Sequence, residues 1–345
     1  MRRSVASRRG FRSLAVGLAG LSALVFGTAT AHADPEQPDA EPTTAYVDGV
    51  DEVTDQHWTV RVYSPAMDTV VPLDVLRPAD PSEPRPVVYA LGGAGVGVID
   101  GTGWMESSDI AEFFSDKNAN VVIPATGNFS YFTDWDLDDP VLGRNQWQTF
   151  LIEELPPVVD ELLDTDGKQS IIGMSMSAGS ALDLAIRSGD LYSGVASLSG
   201  CVRTSDPIGQ LYVRLVVERR GKGDVENMWG PADGPRWAEH DVYLNAEGLR
   251  GKALYLSSRN GLPGPYDIPG QERAAGESFA TQIVAGGAIE AATNACTRQL
   301  VDRLESLDIP VTAELDSDGT HSWGYWEDDL RKAWPILAES MGAEA

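Results

Sequence analysis

The sequence predicts an α/β fold with a mostly parallel central sheet, helices on both faces and an insertion over one end. Short apolar runs bounded by Gly or Pro are typical of strands that are buried on both faces of a sheet. These runs alternate with helical patterns, which is the order expected of a parallel sheet covered by helices. The predicted strands are 87–91, 120–124, 170–172, 194–198, 252–257 and 310–315. The predicted helices are 109–116, 148–163, 178–188, 279–307 and 328–341.

Residues 202–250 interrupt this alternation, because they contain many Gly, Pro and Trp residues and no clear strand. Insertions of this kind often form lids and binding walls. A chain of 345 residues could form two domains, but a single domain over 51–345 with this insertion fits the pattern better.

The first 33 residues have the pattern of a cleaved export signal. Five arginines in the first 12 residues precede an apolar stretch at 14–26, and Ala-His-Ala at 31–33 is a cleavage signal. A membrane anchor is the alternative, but the stretch is short for a membrane span. The run 7–11 also resembles a twin-arginine signal, and the sequence leaves both export routes open. We therefore expect a protein exported to the cell envelope or secreted, with an acidic, flexible N-terminus at 34–50.

The charge balance excludes several classes of partner. The chain has 26 Lys and Arg residues against 52 Asp and Glu residues, which gives a formal net charge of −26. Without the five arginines of the export signal, the net charge is −31 instead of −26. This balance argues against a nucleic-acid partner and against polybasic attachment to anionic lipid. Two Cys and four His residues leave little room for a structural metal site, and we expect neither a metal nor an organic cofactor.

The segment after the strand 170–172 resembles a nucleophile elbow. It reads Gly173-Met-Ser-Met-Ser177, a near-match to G-x-S-x-G with Ser177 in place of the last glycine. Small neighbours allow a tight turn, so the Ser175 hydroxyl projects at the carboxyl end of the sheet, and the helix that follows offers backbone N–H groups to an oxyanion. A small-residue strand–helix turn without chemistry is the alternative. We predict that Ser175 is a nucleophile.

A serine nucleophile needs a base, and three histidines remain after the export signal. His57 precedes the core of the sheet and His240 lies in the insertion, whereas His321 follows the last predicted strand. A loop after the last strand is where the order Ser…acid…His of the α/β-hydrolase fold places its base. The alternative for His321 is an exposed loop residue. Its position in the chain makes it the predicted base.

Several motifs, rich in tryptophan, resemble those of the mycoloyltransferases of the antigen 85 type. They keep the family's order and spacing from about residue 58 to residue 342. The motifs are YFTDW at 131–135, WQTFL at 147–151, GMSMS at 173–177, MWGP at 228–231 with Trp237, and GTHSWGYW at 319–326.

The resemblance implies an α/β-hydrolase fold and a serine acyltransferase. The implied reaction moves a mycoloyl chain from trehalose monomycolate to an acceptor: a second trehalose monomycolate, arabinan of the arabinogalactan, or a protein hydroxyl. Trehalose mycolate glycolipids are the expected partners. A secreted serine carboxylesterase of the same fold is the main alternative, since the motif and triad do not distinguish water from sugar as acceptor. A catalytically silent envelope-binding protein is a further alternative.

The resemblance also chooses the acid and the oxyanion donors. The sequence alone leaves five carboxylates in competition, namely Asp241, Asp267, Glu272, Glu277 and Glu290. Glu290 matches the position of the family's acid, just inside a helix before the last strand. The backbone N–H groups of Met176 and Ala94 match the oxyanion donors. For Glu290 the alternative is a carboxylate on the surface of a helix.

The acceptor contacts are where the sequence departs from the family. Gly92 and Gly95 stand where relatives with known trehalose sites carry Asp and Arg. A glycine-rich turn can supply backbone donors but no side-chain contacts to a sugar. The predicted substrate-binding residues are Trp323, Ser322, Trp135 and Gly95. Other candidates for apolar walls are Trp104, Trp229 and Trp237, for which core packing is the alternative.

The two cysteines, Cys201 and Cys296, are predicted to form a disulfide. Cys296 shares a helical face with apolar residues and therefore points inward. In an exported protein, two such cysteines favour a disulfide over two buried thiols. The bridge would tie the helix of Glu290 to the floor near Ser175.

Overall fold

The computed structural model describes residues 43–97, 103–271 and 278–344. The predicted export signal and two of the competing acids, Glu272 and Glu277, lie outside these ranges. Among the described residues, no helix is long and apolar enough to cross a membrane.

The described residues form a nine-stranded sheet in the order β1-β2-β3-β5-β4-β6-β7-β8-β9. Strands β1, β2, β3 and β5 pair antiparallel, and all pairs from β5 through β9 are parallel. The strands are β1 (Tyr46–Thr54), β2 (His57–Ser64), β3 (Thr69–Leu76), β4 (Arg85–Leu91), β5 (Asn120–Pro124), β6 (Thr165–Met174), β7 (Tyr192–Leu198), β8 (Ala253–Ser257) and β9 (Thr312–Glu314).

Eleven α-helices lie in the described ranges. They are α1 (Trp104–Ser107), α2 (Ile110–Phe114), α3 (Trp147–Thr149), α4 (Leu155–Leu163), α5 (Met176–Arg187), α6 (Pro207–Arg214), α7 (Val225–Trp229), α8 (Pro235–Glu239), α9 (Phe279–Thr281), α10 (Gly287–Ser306) and α11 (Trp323–Met341). The segments Phe150–Glu154, Leu215–Arg220 and Gln282–Gly286 are π-helical and continue α3, α6 and α9, and Ala246–Leu249 is a 3₁₀ turn.

Both faces of the sheet are covered, which confirms the predicted fold class. Along β4, Val87, Tyr89 and Leu91 belong to one apolar cluster, with residues of α4 and α5. The alternate residues Val88 and Ala90 belong to a second cluster, with residues of α2 and α11. Because both faces of such a strand are buried, its sequence is a continuous apolar run.

The antiparallel end of the sheet was not predicted. Strand β2 alternates between partly exposed and buried residues, a pattern of period two that differs from the continuous runs of the parallel strands. Strand β1 begins at Tyr46, inside the segment 34–50 that the sequence analysis assigned to a flexible N-terminus. Residues 46–50 are therefore part of the sheet, which corrects that boundary.

Residues 202–250 form α6, α7, α8, the π-helical segment Leu215–Arg220 and the 3₁₀ turn. This insertion has a small apolar cluster of its own. Its buried members are Val213, Val217, Val225, Met228, Trp229 and Trp237 together with Trp135 from outside the insertion.

Candidate active site

Ser175 lies at a sharp turn between β6 and α5. Its backbone angles, φ 55° and ψ −116°, fall in a region that non-glycine residues rarely occupy. Gly173 makes the turn possible, because a Cβ at this position would lie 2.1 Å from the carbonyl oxygen of Ser177. The turn raises the Ser175 side chain above the carboxyl end of the sheet.

Ser177 explains how the elbow accommodates a residue other than glycine at its last position. Its side chain is fully buried, and its Oγ accepts a hydrogen bond from the Met174 N–H at 2.9 Å. The same hydroxyl lies 3.1 Å from the carbonyl oxygen of Leu91, at the end of β4. The serine therefore fastens the elbow to the neighbouring strand.

His321 lies in the loop between β9 and α11, within hydrogen-bond distance of two side chains. Its Nε2 is 2.8 Å from Ser175 Oγ, and its Nδ1 is 2.7 Å from Glu290 Oε2. The ring of Trp326 packs edge-to-face on the imidazole, with 4.9 Å between ring centroids. The structure thus brings Ser175, His321 and Glu290 into one hydrogen-bonded chain, an arrangement suited to nucleophilic catalysis.

Glu290 is fully buried in the first turn of α10. Its second oxygen, Oε1, accepts hydrogen bonds from Ser199 Oγ at 2.8 Å, Ser258 Oγ at 2.8 Å and the Arg259 N–H at 2.6 Å. Three donors hold Oε1 in place, which leaves Oε2 to contact the imidazole of His321. The alternative reading, a carboxylate on a helix surface, does not hold for Glu290.

The other competing acids in the described ranges lie elsewhere. Asp241 accepts hydrogen bonds from Ser205 and Leu244 within the insertion. Asp267 contacts the loop between β9 and α11 that carries His321, here called the histidine loop, and not the imidazole itself. Its carboxylate accepts a hydrogen bond from Oγ1 of Thr320, the residue before His321.

The Asp267 carboxylate has three further donors. They are the Gly264 N–H, Tyr325 OH and Gln282 Nε2, each at 2.7 Å. Burial raises the pKa of Asp267, but the hydrogen bonds outweigh this effect and hold its pKa below the ordinary value. Asp267 therefore joins the histidine loop, α11 and the segment before α10.

The remaining described histidines are not near Ser175 in this arrangement. His57 Nε2 is 2.8 Å from Asp74 Oδ1 on β3. His240 is buried in the insertion, where its Nδ1 is 2.7 Å from Asp183 Oδ2 and its ring stacks on Trp229.

The predicted disulfide is present. Cys201 and Cys296 are bonded, with 5.1 Å between their Cα atoms and a sequence separation of 95. The bond joins α10, which carries Glu290, to the segment that follows β7. Within the described ranges, no group of three or more His, Cys, Asp or Glu side chains could hold a metal ion.

Two cavities meet at Ser175 and His321. The larger cleft has a volume of about 380 Å³ and polar as well as apolar walls, which include Ala94, Gly95, Tyr266, Gln282, Ser322 and Trp323. The apolar pocket has a volume of about 190 Å³ and lies against the insertion and α10; its walls include Met176, Val213, Leu215, Val216, Ile289 and Ala292.

Three of the four predicted substrate-binding residues line the larger cleft, namely Gly95, Ser322 and Trp323. Trp135 is the exception. It is 2% exposed, packs in the apolar cluster of the insertion and donates its Nε1–H to the Ser130 carbonyl at 3.0 Å. The structure corrects the prediction for Trp135, because this side chain supports the fold of the insertion and lines neither cavity.

The other tryptophans proposed as walls are also packing residues. Trp104 is fully buried and donates to the Leu91 carbonyl at 3.0 Å, and Trp229 and Trp237 pack against each other in the insertion. Trp104 packs edge-to-face against Trp323, which lines the larger cleft.

The two predicted oxyanion donors border the cavities. Ala94 lines both cavities and Met176, the first residue of α5, lines the apolar pocket. The peptide of Ala94 is fixed on its carbonyl side by the Phe129 N–H at 2.9 Å. The role of both N–H groups as oxyanion donors stays a prediction.

Several residues of the site were not singled out from the sequence. Trp326 lies in the motif at 319–326, so its position was available, but its contact with His321 was not inferred. Ser199 and Ser258 carry no motif of their own, and Arg220, which lines both cavities, is distant in sequence from every catalytic candidate.

The chain has an α/β-hydrolase fold, and Ser175, His321 and Glu290 form one hydrogen-bonded chain at its candidate site. A comparison with protein families identifies the chain as a member of the Esterase family, whose model matches residues 64–337. The antigen 85 resemblance is confirmed by curated relatives. Ag85A, a diacylglycerol acyltransferase/mycolyltransferase of Mycobacterium leprae, is 28% identical over 75% of this chain and 76% of its own. Ag85B of Mycobacterium avium is 27% identical over 75% of this chain and 76% of its own.

Solved structures show the same fold. MPT51 (FbpC1) of Mycobacterium tuberculosis aligns with a TM-score of 0.67 at 22% identity and covers 84% of this chain and 99% of its own. An S-formylglutathione hydrolase from Agrobacterium tumefaciens aligns with a TM-score of 0.61 at 16% identity and covers 86% of this chain and 100% of its own. The family and the relatives together support an acyltransferase or esterase.

Proposed function

We propose that the protein is an exported mycoloyltransferase that uses Ser175 to move an acyl chain from trehalose monomycolate to an acceptor hydroxyl. The observation that carries this proposal is the hydrogen-bonded chain of Ser175, His321 and Glu290 at the junction of two cavities. One cavity can hold the acyl chain while the other holds the sugar that leaves or arrives. Relatives named mycolyltransferases support the identity of the acyl group.

The first half of the reaction forms an acyl-enzyme. Ser175 Oγ attacks the ester carbonyl and His321 Nε2 takes the hydroxyl proton, while Glu290 stabilises the imidazolium through Nδ1. The N–H groups of Met176 and Ala94 stabilise the oxyanion. When the intermediate collapses, trehalose leaves with the proton from His321.

The second half reverses these steps with the acceptor. His321 takes the proton of the acceptor hydroxyl, whose oxygen attacks the acyl carbon, and Ser175 recovers the proton as it leaves. The same chemistry with water gives hydrolysis, so transfer requires that the acceptor displace water from the larger cleft.

Each cavity has the chemistry for one part of the substrate. The apolar pocket suits the acyl chain because Leu215, Val216 and Ile289 offer no polar groups to it. The larger cleft offers Gln282 and Ser322 to hydroxyl groups. Ser322 lines this cleft, and its buried Oγ has no hydrogen-bond partner among the described residues.

The acceptor is proposed only as a class: a second trehalose monomycolate, arabinan or a protein hydroxyl. Gly92 replaces the family's Asp, and in this structure the space for a side chain there is occupied, since a Cβ would lie 2.9 Å from Val96 Cγ2. Contacts to the acceptor therefore come from other walls of the cleft. A secreted carboxylesterase is the second candidate, and membership in the Esterase family favours it.

Product analysis distinguishes these functions. The purified protein is incubated with acyl-labelled trehalose monomycolate and each acceptor in turn, with Ser175→Ala as the control. Labelled dimycolate with free trehalose, or labelled arabinan or protein, supports transfer. Free labelled acid as the only product overturns transfer in favour of hydrolysis. If the labelled substrate stays unchanged and an active-site phosphonate does not label Ser175, the result supports the catalytically silent envelope-binding protein.

The export proposal rests on the signal-like sequence of the first 33 residues. We expect the mature N-terminus at Asp34 in protein recovered from the envelope or the medium. Full-length protein confined to the cell interior would contradict it.

A further inference from the structure

The outer face of the insertion carries an exposed apolar stripe. Ile208, Leu211 and Leu215, on α6 and its π-helical extension, are 62%, 54% and 45% exposed. Their spacing of three and four residues places them on one side of the helix. The opposite side is already used, because Val213 and Val217 are buried in the cluster of the insertion. The stripe therefore contributes nothing to the core.

This stripe is continuous with the mouth of the apolar pocket. Leu215 lines the pocket from the insertion and Ile289 lines it from α10, and both are 45% exposed. Val284, in the π-helical segment before α10, is 74% exposed. Both rims of the pocket thus present apolar side chains to the outside.

The same part of the insertion is basic in a strongly acidic protein. Residues 203–222 contain five basic and two acidic residues, although the whole chain has a net charge of −26. The two acids are paired, with Arg203 and Asp206 3.0 Å apart and Arg214 and Glu218 2.5 Å apart. Two exposed cations, Arg219 and Lys222, lie at the end of the segment.

We propose that this apolar and basic face, residues 207–222, is a docking surface for an anionic lipid layer. Apolar side chains beside a cluster of cations are the features by which amphipathic helices bind at a lipid–water interface. The apolar residues enter the acyl region while the cations contact the headgroup phosphates, each cation adding to the attraction. An acyl donor in the layer then reaches the apolar pocket without crossing water.

Charge favours a lipid layer over a second copy of the chain as the occupant. A symmetric dimer through this face would bring its cations opposite each other across the contact. The acidic remainder of the chain repels an anionic layer as well as a second copy, so the attraction to lipid is confined to this face. An anionic layer offers the complementary charge and the apolar interior together.

Vesicle flotation tests the docking surface. The full protein with Ser175→Ala is mixed with phosphatidylcholine vesicles that contain or lack phosphatidylglycerol. Ile208→Ser combined with Leu211→Ser should lower binding to the anionic vesicles by about tenfold. The matched control combines Leu137→Ser with Val141→Ser, since these residues are 62% and 59% exposed outside the insertion. An equal loss of vesicle binding in the two double variants would overturn the proposal. Unchanged binding of the variant with Ile208→Ser and Leu211→Ser would overturn it as well.

The charge is tested separately. Arg219→Gln should lower binding to vesicles with phosphatidylglycerol by about fivefold and leave binding to pure phosphatidylcholine unchanged. Lys168→Gln, an exposed cation at the start of β6, is the control and should bind like the parent. An equal effect of the two substitutions would contradict a basic docking surface.

Two further measurements keep the result interpretable. In protein that keeps Ser175, the Ile208 and Leu211 substitutions should not change the hydrolysis of a water-soluble short-chain ester. Both residues lie outside the two cavities. If no form hydrolyses the ester, the proposed function fails while the vesicle result stands. A dimer that disappears in this double variant, without vesicle binding by the parent, would overturn the lipid assignment in favour of a second copy.

Discussion

The two cavities that meet at Ser175 are built from different kinds of structure. The apolar pocket lies between helices, the insertion on one side and α10 on the other, and Cys201 of the disulfide is among its walls. The larger cleft is bounded mainly by loops and the segment before α10, which the carboxylate of Asp267 holds together. The side proposed for the acyl chain therefore depends on packing and a covalent tie, and the side proposed for the acceptor depends on hydrogen bonds.

Glu290 belongs to the packed side and contacts His321, the proposed base, so its substitution should have the largest effect. In Glu290→Gln, an amide N–H₂ can face His321 Nδ1–H, which gives two donors in place of a donor and an acceptor. We expect kcat to fall by about 10⁴-fold while substrate still binds. Steady-state kinetics on a soluble ester measures this loss.

Asp241→Asn is the matched control, because Asp241 is an almost fully buried carboxylate in the insertion with its own hydrogen bonds. It should lower the thermal midpoint and leave kcat within about threefold of the parent. Comparable losses of kcat in the two variants would remove the assignment of Glu290 as the acid.

The disulfide should matter next, and mainly for stability. Replacing Cys201 and Cys296 by serine opens a loop of 95 residues. In the chain-entropy model this lowers the free energy of unfolding by about 4–5 kcal/mol. Denaturant unfolding checks the value. A reducing agent should lower the free energy of unfolding of the parent by a similar amount and leave that of the serine variant unchanged. If the reducing agent lowers both values equally, an effect other than the disulfide is responsible.

The nucleophile, the base and the disulfide were predictable because they depend on local patterns. The elbow around Ser175 is a short motif, His321 follows the last strand, and the apolar helical face around Cys296 indicated that it points inward. Glu290 required the family resemblance, since any of five carboxylates had a suitable position in the chain. Ser199 and Ser258, which complete its hydrogen bonds, meet only through the fold.

The antiparallel strands and the acceptor side were harder to infer. Strands β1 to β3 have one partly exposed face, so their sequences alternate and do not form the continuous runs that were sought. The walls of the larger cleft come from loops distant in sequence, and Asp267 meets Thr320 across 53 positions. Trp135 shows the converse error, in which a residue of the motif at 131–135 proved to be a packing residue.

Asp267→Asn tests the acceptor side directly. Four donors converge on this carboxylate, and an amide group would place N–H₂ against one or more of them. We expect a fall of about tenfold in kcat/KM, with a larger change in the KM of the acceptor than in that of the acyl donor. Two-substrate kinetics separates the two. A loss confined to the acyl donor would contradict the division between the cavities.

The pH dependence of Asp267 has a definite sign. Its pKa is lowered in the folded protein, so its ionised form stabilises the fold above the ordinary carboxyl pKa of about 3.9. That stabilisation is lost as pH falls from this value through the lower folded pKa. The difference in thermal midpoint between the parent and Asp267→Asn should therefore shrink below about pH 4.

The smallest effect is expected at Gly92, where the antigen 85 resemblance implies an Asp. A Cβ at this position would lie 2.9 Å from Val96 Cγ2, so Gly92→Asp should cost about 1 kcal/mol of stability by overpacking. In a Val96→Ala background the closest contact is gone, and the cost of Gly92→Asp should fall. A double-mutant cycle by denaturant unfolding measures this coupling. If the cost is the same in both backgrounds, Val96 is not what excludes the side chain. If it falls, the apolar side chain of Val96 occupies the space in which relatives are expected to place a sugar-binding carboxylate.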